Sequence, residues 1–346
     1  MLVRSEFRPC GLATAIGSLP HTDPQEACSL MLSRLGRLPV WPQMPKRSFL
    51  ENMYVQFSEG FPGVVLENDR ISVSRSQGLD GALEKLYVTY LENRVDEWGI
   101  AAEYAAGLYA FLSAEIGSPV AIKGQVTGPI SWGLSVTDEN RQPVLYDEVL
   151  GDAIAKHIRL KAAWEERALQ AMCPNTIMFV DEPYMSAFGS AFVSLSREQV
   201  VSLLEEVFQG ITGLKAIHCC GNTDWSLVFS TKVDVVNFDA FACFQGIPLY
   251  PDHLRSFLDR GGILSWGIVP ASGSGDNLDP ATLLQMLDDR IGQLAAKGMD
   301  RDRLYRQAIL TPSCGIGSQS VDDADHVVDA LIRLSALVRE RERLEC

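Results

Sequence analysis

Gly213-Leu214-Lys215-Ala216-Ile217-His218-Cys219-Cys220-Gly221-Asn222 reads as one short buried strand that runs straight into an imidazole, two thiols and a turn. In an extended chain residues i and i+2 share a face, so His218 and Cys220 point one way and Cys219 the other. Imidazole nitrogen and thiolate sulfur together suit zinc. The bland account of the same pair is a core histidine beside a structural thiol. What decides between them is whether other strands bring ligands to the same end.

Working outward, short apolar segments alternate with helical patterns along the whole chain. The strands are expected at Gly11–Pro20, Leu38–Trp41, Pro119–Gly124, Thr176–Val180, Gly213–Ile217, Val233–Phe238, Gly262–Trp266 and Gln307–Thr311. Asp23-Pro24 and Asp279-Pro280 each supply a capping carboxylate followed by a proline in the first turn, the punctuation of a helix start. Long helical patterns cover about 80 to 114, 146 to 171 and 321 onward. Residues 54 to 75 alternate and predict a small β-hairpin insertion after the second strand. Eight strands, each followed by a helix, point to an α/β fold of the (β/α)8 TIM-barrel type, one domain over residues 1–346. A doubly wound open sheet would need a Gly-rich phosphate loop after the first strand, and Gly17-Ser18-Leu19-Pro20 is not one.

Composition narrows the function classes. A net charge of -14 disfavours a nucleic-acid partner, because such binders concentrate Lys and Arg. No stretch approaches the roughly 20 apolar residues that span a bilayer, and Met1–Arg8 lacks the apolar run of a signal peptide. The chain is therefore expected to be cytoplasmic, with no membrane partner. Eight cysteines without a paired framework fit a reducing compartment. Cys219 and Cys243 read as core thiols, and Cys10, Cys28, Cys173 and Cys346 carry no functional pattern.

In a TIM barrel the chemistry sits where the strands end. Strand one ends in Ser18 and His21, strand three in Lys123 and Gln125, strand four in Asp181 and Glu182, strand five in His218 and Cys220, strand six in Asp239, and strand eight in Cys314. His218, Cys220, Asp239 and Cys314 thus converge on one rim and together would complete a tetrahedral zinc site, or leave an open position if Asp239 binds weakly. Several of these residues have structural readings as well. Asp181-Glu182-Pro183 is equally a helix cap or a partner for Lys123, His21 a capping residue, and Trp41, Trp132 and Trp266 core aromatics. His157, His253 and His326 read as helix-surface or packing residues.

The ordered motifs Ile16-Gly17-Ser18-Leu19-Pro20, Gly124-Gln125-Val126-Thr127-Gly128-Pro129, Asp181-Glu182-Pro183, His218-Cys219-Cys220-Gly221-Asn222 and Pro312-Ser313-Cys314-Gly315 resemble a known family. The chain is similar, over nearly its whole length, to the catalytic C-terminal domain of cobalamin-independent methionine synthase. That domain belongs to a superfamily shared with corrinoid-using thiol methyltransferases and uroporphyrinogen decarboxylase. The resemblance implies a zinc-dependent methyltransferase with His218, Cys220 and Cys314 as zinc ligands and Asp239 at the fourth position, where the synthase has glutamate. It further implies that Ile16, through its backbone, and Ser18 hold the carboxylate of an amino-acid thiol such as homocysteine, and that Asp181 receives its ammonium group.

Two departures bear on the methyl donor. The chain has room for one barrel, without the synthase's additional half. Where the synthase has a histidine after its seventh strand, Val269-Pro270-Ala271-Ser272-Gly273-Ser274-Gly275 offers no proton donor. A folate amine needs protonation to leave and a cobalt(I) corrinoid does not, so the expected donor is a methylated corrinoid, free or protein-bound. The rival readings are a porphyrinogen-type decarboxylase, whose arginine-rich segment Trp41–Arg47 matches poorly, and a non-catalytic thiol- or corrinoid-binding protein.

Overall fold

In the computed structural model, residues 7–75, 78–191, 193–272 and 278–345 are described. Among these described residues ten strands occur in chain order: β1 (Leu12–Ala13), β2 (Val64–Glu67), β3 (Arg70–Val73), β4 (Ile122–Thr127), β5 (Thr137–Asp138), β6 (Thr176–Asp181), β7 (Leu214–Cys219), β8 (Val235–Phe238), β9 (Ile263–Val269) and β10 (Ala308–Pro312). Seven form one curled sheet in the order β1-β10-β9-β8-β7-β6-β4, every pair parallel. From β4 onward successive sheet strands are neighbours, and the first pairs with the last. A doubly wound sheet would reverse its order at a switch point, so this topology is TIM-barrel-like.

The expected second strand is the exception. Between β1 and β4, residues 38–43 form no ladder, only isolated parallel bridges, Val40 to Lys123 and Gln43 to Ser18. Pro39 and Pro42 have no amide hydrogen to donate, and the Trp41 carbonyl accepts from the Gln125 side chain at 3.2 Å. What remains is edge bonding: the Pro39 carbonyl accepts from Lys123 N at 2.9 Å, and Gln43 N donates to the Gly17 carbonyl at 3.0 Å. The first strand is also shorter than its sequence suggests, two residues in register with Ile309 and Leu310.

The hairpin is present but displaced. β2 and β3 pair antiparallel over residues 64–73, and β5 joins them parallel to β3. Tyr54–Phe57, expected as strand, begins as a short helix, Met53–Gln56, because the Asn52 side chain caps it by accepting from Tyr54 N at 3.0 Å. The helical pattern from 80 to 114 divides into Leu79–Leu91, a 3-10 turn Val95–Trp98 and Ala106–Leu112. Asn93, at φ +52, ends the first of these.

Inside the curl, Leu12, Leu38, Ala121, Ile177, Phe179, Ala216, Val235, Ile263 and Ile309 make an apolar plug separate from the larger core between sheet and helices. Advancing two residues along each strand keeps the side chain on the same face. From Val235 that step reaches Asn237, from Ile263 Ser265, from Ile309 Thr311, from Ala121 Lys123 and from Ala216 His218, all buried. The interior thus turns from apolar to polar toward the carboxyl ends of the strands.

Candidate metal centre

β7 delivers His218 inward at its end, and Cys220 follows on the same face one alternation later. β10 ends at Pro312, after which Ser313 turns the chain and Cys314 comes to the same rim. The ligand atoms of His218, Cys220 and Cys314 all lie within 4.8 Å of one another. Cys219 points away into the core, where its Sγ meets the Gly221 carbonyl and burial pushes its thiol up to about 12. The alternation read from the sequence is the alternation in the fold.

Hydrogen bonding with the Cys220 thiol, and then with His218, holds the Cys314 thiol well below the ordinary thiol range, and the same shared proton holds Cys220 far above it. Burial pushes His218 down, but its bond to Cys314 and the charges of Asp181 and Cys314 outweigh burial and hold it above its ordinary value. Two sulfurs and one imidazole nitrogen, converging and partly shielded from water, are a donor set that fits zinc.

Asp239 stands outside this three-residue cluster. It is half-buried after β8, and its Oδ1 accepts from Ala242 N at 2.7 Å, opening the turn that follows. Burial raises its carboxyl, and Cys314 and His218 act on it electrostatically from across the rim.

The acidic pair at the end of β6 divides its roles. Glu182 is a cap: its carboxylate accepts from Ile130 N at 2.9 Å and Ser131 N at 2.7 Å, at the start of the helix Pro129–Ser135. Asp181 faces the centre, beside His218 and Cys314. Burial raises it to about 6, and its Oδ1 is buried without a hydrogen-bond partner. Below it, the fully buried Lys123 ammonium donates to the Ile16 carbonyl at 2.6 Å and to Gln125 Oε1 at 3.0 Å, 4.2 Å from the centroid of the Phe179 ring.

Ile16 is therefore tied in by its carbonyl. Ser18 sits against the loop that follows Cys314, where its Oγ accepts from Gly317 N at 3.3 Å. A Cβ on Gly315 would come 2.2 Å from that oxygen, so only glycine lets Ser18 lie so close to the Cys314 loop. Gly17, at φ +138, lets the Gln125 amide approach in the same way.

The remaining candidates lie apart from this cluster. His21 is buried outside the cluster, and His157 bonds the Phe57 carbonyl and packs on Phe61 and Trp98. His253 and His326 are exposed, and all three tryptophans are buried. Gly273, Ser274 and Gly275 of the loop after β9, and Cys346, lie outside the described residues.

Two further buried polar groups, Asn237 and Glu165, belong to none of the sequence motifs. Asn237, in β8, bonds His218. Its sequence signal is a lone amide two residues before Asp239 on an otherwise apolar strand. Glu165, on the helix Glu148–Gln170, accepts from Trp41 Nε1 at 2.7 Å and Gln125 N at 2.8 Å, and its Oε2 is buried without a partner. Burial raises Glu165 to about 8 from an ordinary 4.5, against those hydrogen bonds. Between these values the fold keeps a proton that the unfolded chain has released, so stability falls as pH rises, by up to about 1.4 kcal/mol per unit from this group. Glu165→Gln keeps the Oε1 acceptor and removes the charge. Urea unfolding across about pH 5 to 8 is expected to show a flatter stability profile in the variant, and parallel profiles would refute the assignment.

The chain matches no protein-family model and no curated protein sequence. Among the described residues no helix is long and apolar enough to cross a membrane. Among solved structures the chain is similar to a B12-independent methionine synthase from Shewanella sp. W3-18-1, in complex with selenomethionine. The two are 15% identical, aligned over 95% of this chain and 98% of that one, with a TM-score of 0.59. It is also similar to a methyltransferase from Methanosarcina mazei, 14% identical over 90% of this chain and 86% of that one, with a TM-score of 0.53. At these identities the likeness is one of fold, and it extends over almost the whole of the synthase chain.

Proposed function

We propose that the protein is a zinc-dependent methyltransferase that methylates a thiol, most naturally homocysteine to give methionine, from a methylated corrinoid. The observation that carries the reading is the convergence of His218, Cys220 and Cys314 within 4.8 Å at the carboxyl rim of the sheet. The fold shared with a methionine synthase and a methyltransferase supports it. His218, Cys220 and Cys314 would hold the ion, with Asp239 as an exchangeable fourth ligand. Zinc so bound supplies the Lewis acidity that keeps an incoming thiol ionised at neutral pH.

The chain's own residues orient the acceptor. Asp181 offers a buried carboxylate oxygen with no partner, suited to an ammonium group. Ser18 Oγ beside the Cys314 loop is a donor for a carboxylate. The Ile16 carbonyl already holds Lys123, so we assign Ile16's contact to its amide hydrogen. An amino-acid thiol held at both ends presents its sulfur to the rim in one orientation. In the transfer, a sulfur–carbon bond forms as the cobalt–carbon bond breaks, and the electron pair leaves with cobalt(I). No protein acid is needed. We also infer that residues 38–43 occupy the eighth strand position and close the barrel, since Leu38 belongs to the interior plug.

The test joins metal content to turnover. About one zinc per chain is expected, with methionine formed from homocysteine and methylcobalamin and no methyl thioether from a thiol lacking the amino group. Zinc-dependent turnover with methylfolate alone would remove the corrinoid assignment. A protein that binds no zinc and methylates no thiol would remove the whole reading.

A further inference from the structure

His218, Asn237 and Ser265 lie side by side on three adjacent strands, paired in register from β7 to β8 to β9. All three are buried, as is Thr311 on β10. Asn237 spans this row with both ends of its amide. Its Nδ2, with two hydrogens to donate, lies 3.0 Å from the Ser265 carbonyl, 2.8 Å from Ser265 Oγ and 2.8 Å from Thr311 Oγ1. Its Oδ1 meets His218 Nδ1.

The orientation of this amide follows from chemistry. Ser265 and Thr311 hydroxyls rotate to donate or accept, but the Ser265 carbonyl only accepts, so it must face the amide nitrogen. A flipped amide would set two oxygens against each other in a buried site. Oδ1, an acceptor alone, is therefore the atom that meets the imidazole. Nδ1 must then carry a hydrogen, and in the neutral ring the lone pair is left on Nε2.

We propose that Asn237 is the positioning residue of the metal centre, fixing His218 as the Nδ1–H tautomer so that Nε2 is the nitrogen offered to the ion beside Cys220 and Cys314. Metal-bound histidines characteristically donate their second nitrogen to a carboxylate, carbonyl or water that orients the ring. Here a side-chain amide, itself anchored on two further strands, does that work. The consequence for metal affinity rests on the zinc reading above, whereas the tautomer stands without it.

The experiment has two independent arms. The first is nitrogen-15 NMR of the histidine rings in metal-free protein, at a pH where the His218 ring is neutral. There are five histidines, and His218→Gln assigns the signal. The wild type is expected to carry its proton on Nδ1. In Asn237→Leu the proton is expected to shift largely to Nε2, the tautomer free histidine favours, while Asn237→Asp, which keeps an acceptor, should retain Nδ1–H.

The second arm is zinc affinity by competition with a chromophoric chelator. A loss of about 10- to 100-fold is expected in Asn237→Leu, with partial recovery in Asn237→Asp. A wild-type proton on Nε2 would overturn the proposal, and that result needs no variant to fold. An unchanged tautomer in Asn237→Leu, or equal loss in both variants, would overturn it as well. Should the tautomer behave as expected while the wild type binds no zinc, the positioning role of Asn237 is upheld and the zinc reading is what fails.

Discussion

On the proposed zinc-dependent reading, Cys314→Ser is expected to lose zinc and, with it, methyl transfer to the thiol. The three-residue cluster has two sulfur donors, and serine replaces one with a hydroxyl that does not ionise at neutral pH. The substitution is nearly isosteric, and the loop that follows is held by Gly317 N to Ser18 and by Ile316 N to the Ser18 carbonyl, contacts that do not involve the sulfur. The fold should therefore survive while the site does not. The loss in affinity should exceed the roughly 100-fold that removal of an outer hydrogen-bond partner costs, because a direct ligand is gone. Elemental analysis after dialysis against a mild chelator, with thermal unfolding as the folding control, measures it. A folded variant with its full zinc complement and activity would show that Cys314 is no ligand.

Lys123→Met is expected to cost stability on the scale of buried acceptors left without their donor, about 1–3 kcal/mol each. Methionine fills a similar volume over Phe179, so packing changes little. The loss is in pairing: the Ile16 carbonyl and Gln125 Oε1 lose their donor, and Asp181 loses the positive charge beneath it. Burial brings the Lys123 ammonium down to about 8, against the opposing charge of Asp181. A double variant with Asp181→Asn should lose less than the two single losses added, because it removes the charge left uncompensated. Urea unfolding near neutral pH measures both. A single-variant loss under about 1 kcal/mol would mean the ammonium is not holding this end of the sheet together.

These effects rest on features of different legibility. Cys219 outward and His218 with Cys220 inward followed from strand alternation alone, and the capped helix starts at Asp23 and Asp279 from their Asp-Pro pairs. The second strand did not follow, because an apolar run bracketed by prolines reads as a strand whether or not its neighbours can bond to it. Tyr54–Phe57 misled for a related reason: alternation over four residues is weaker than the Asn52 cap that starts a helix there.

By itself, the sequence determined the strand-helix alternation, the rim on which polar residues gather and the imidazole and thiols gathered there, because these depend on periodicity and side-chain chemistry. Only the tertiary structure decided that Glu182 caps a helix while its neighbour Asp181 faces the site, that Asp239 stands outside the cluster, and that Asn237 grips His218. Each of those depends on which atoms lie across from one another on different strands. Local sequence sets the face a side chain takes, but its partner is chosen by the register and curl of the whole sheet.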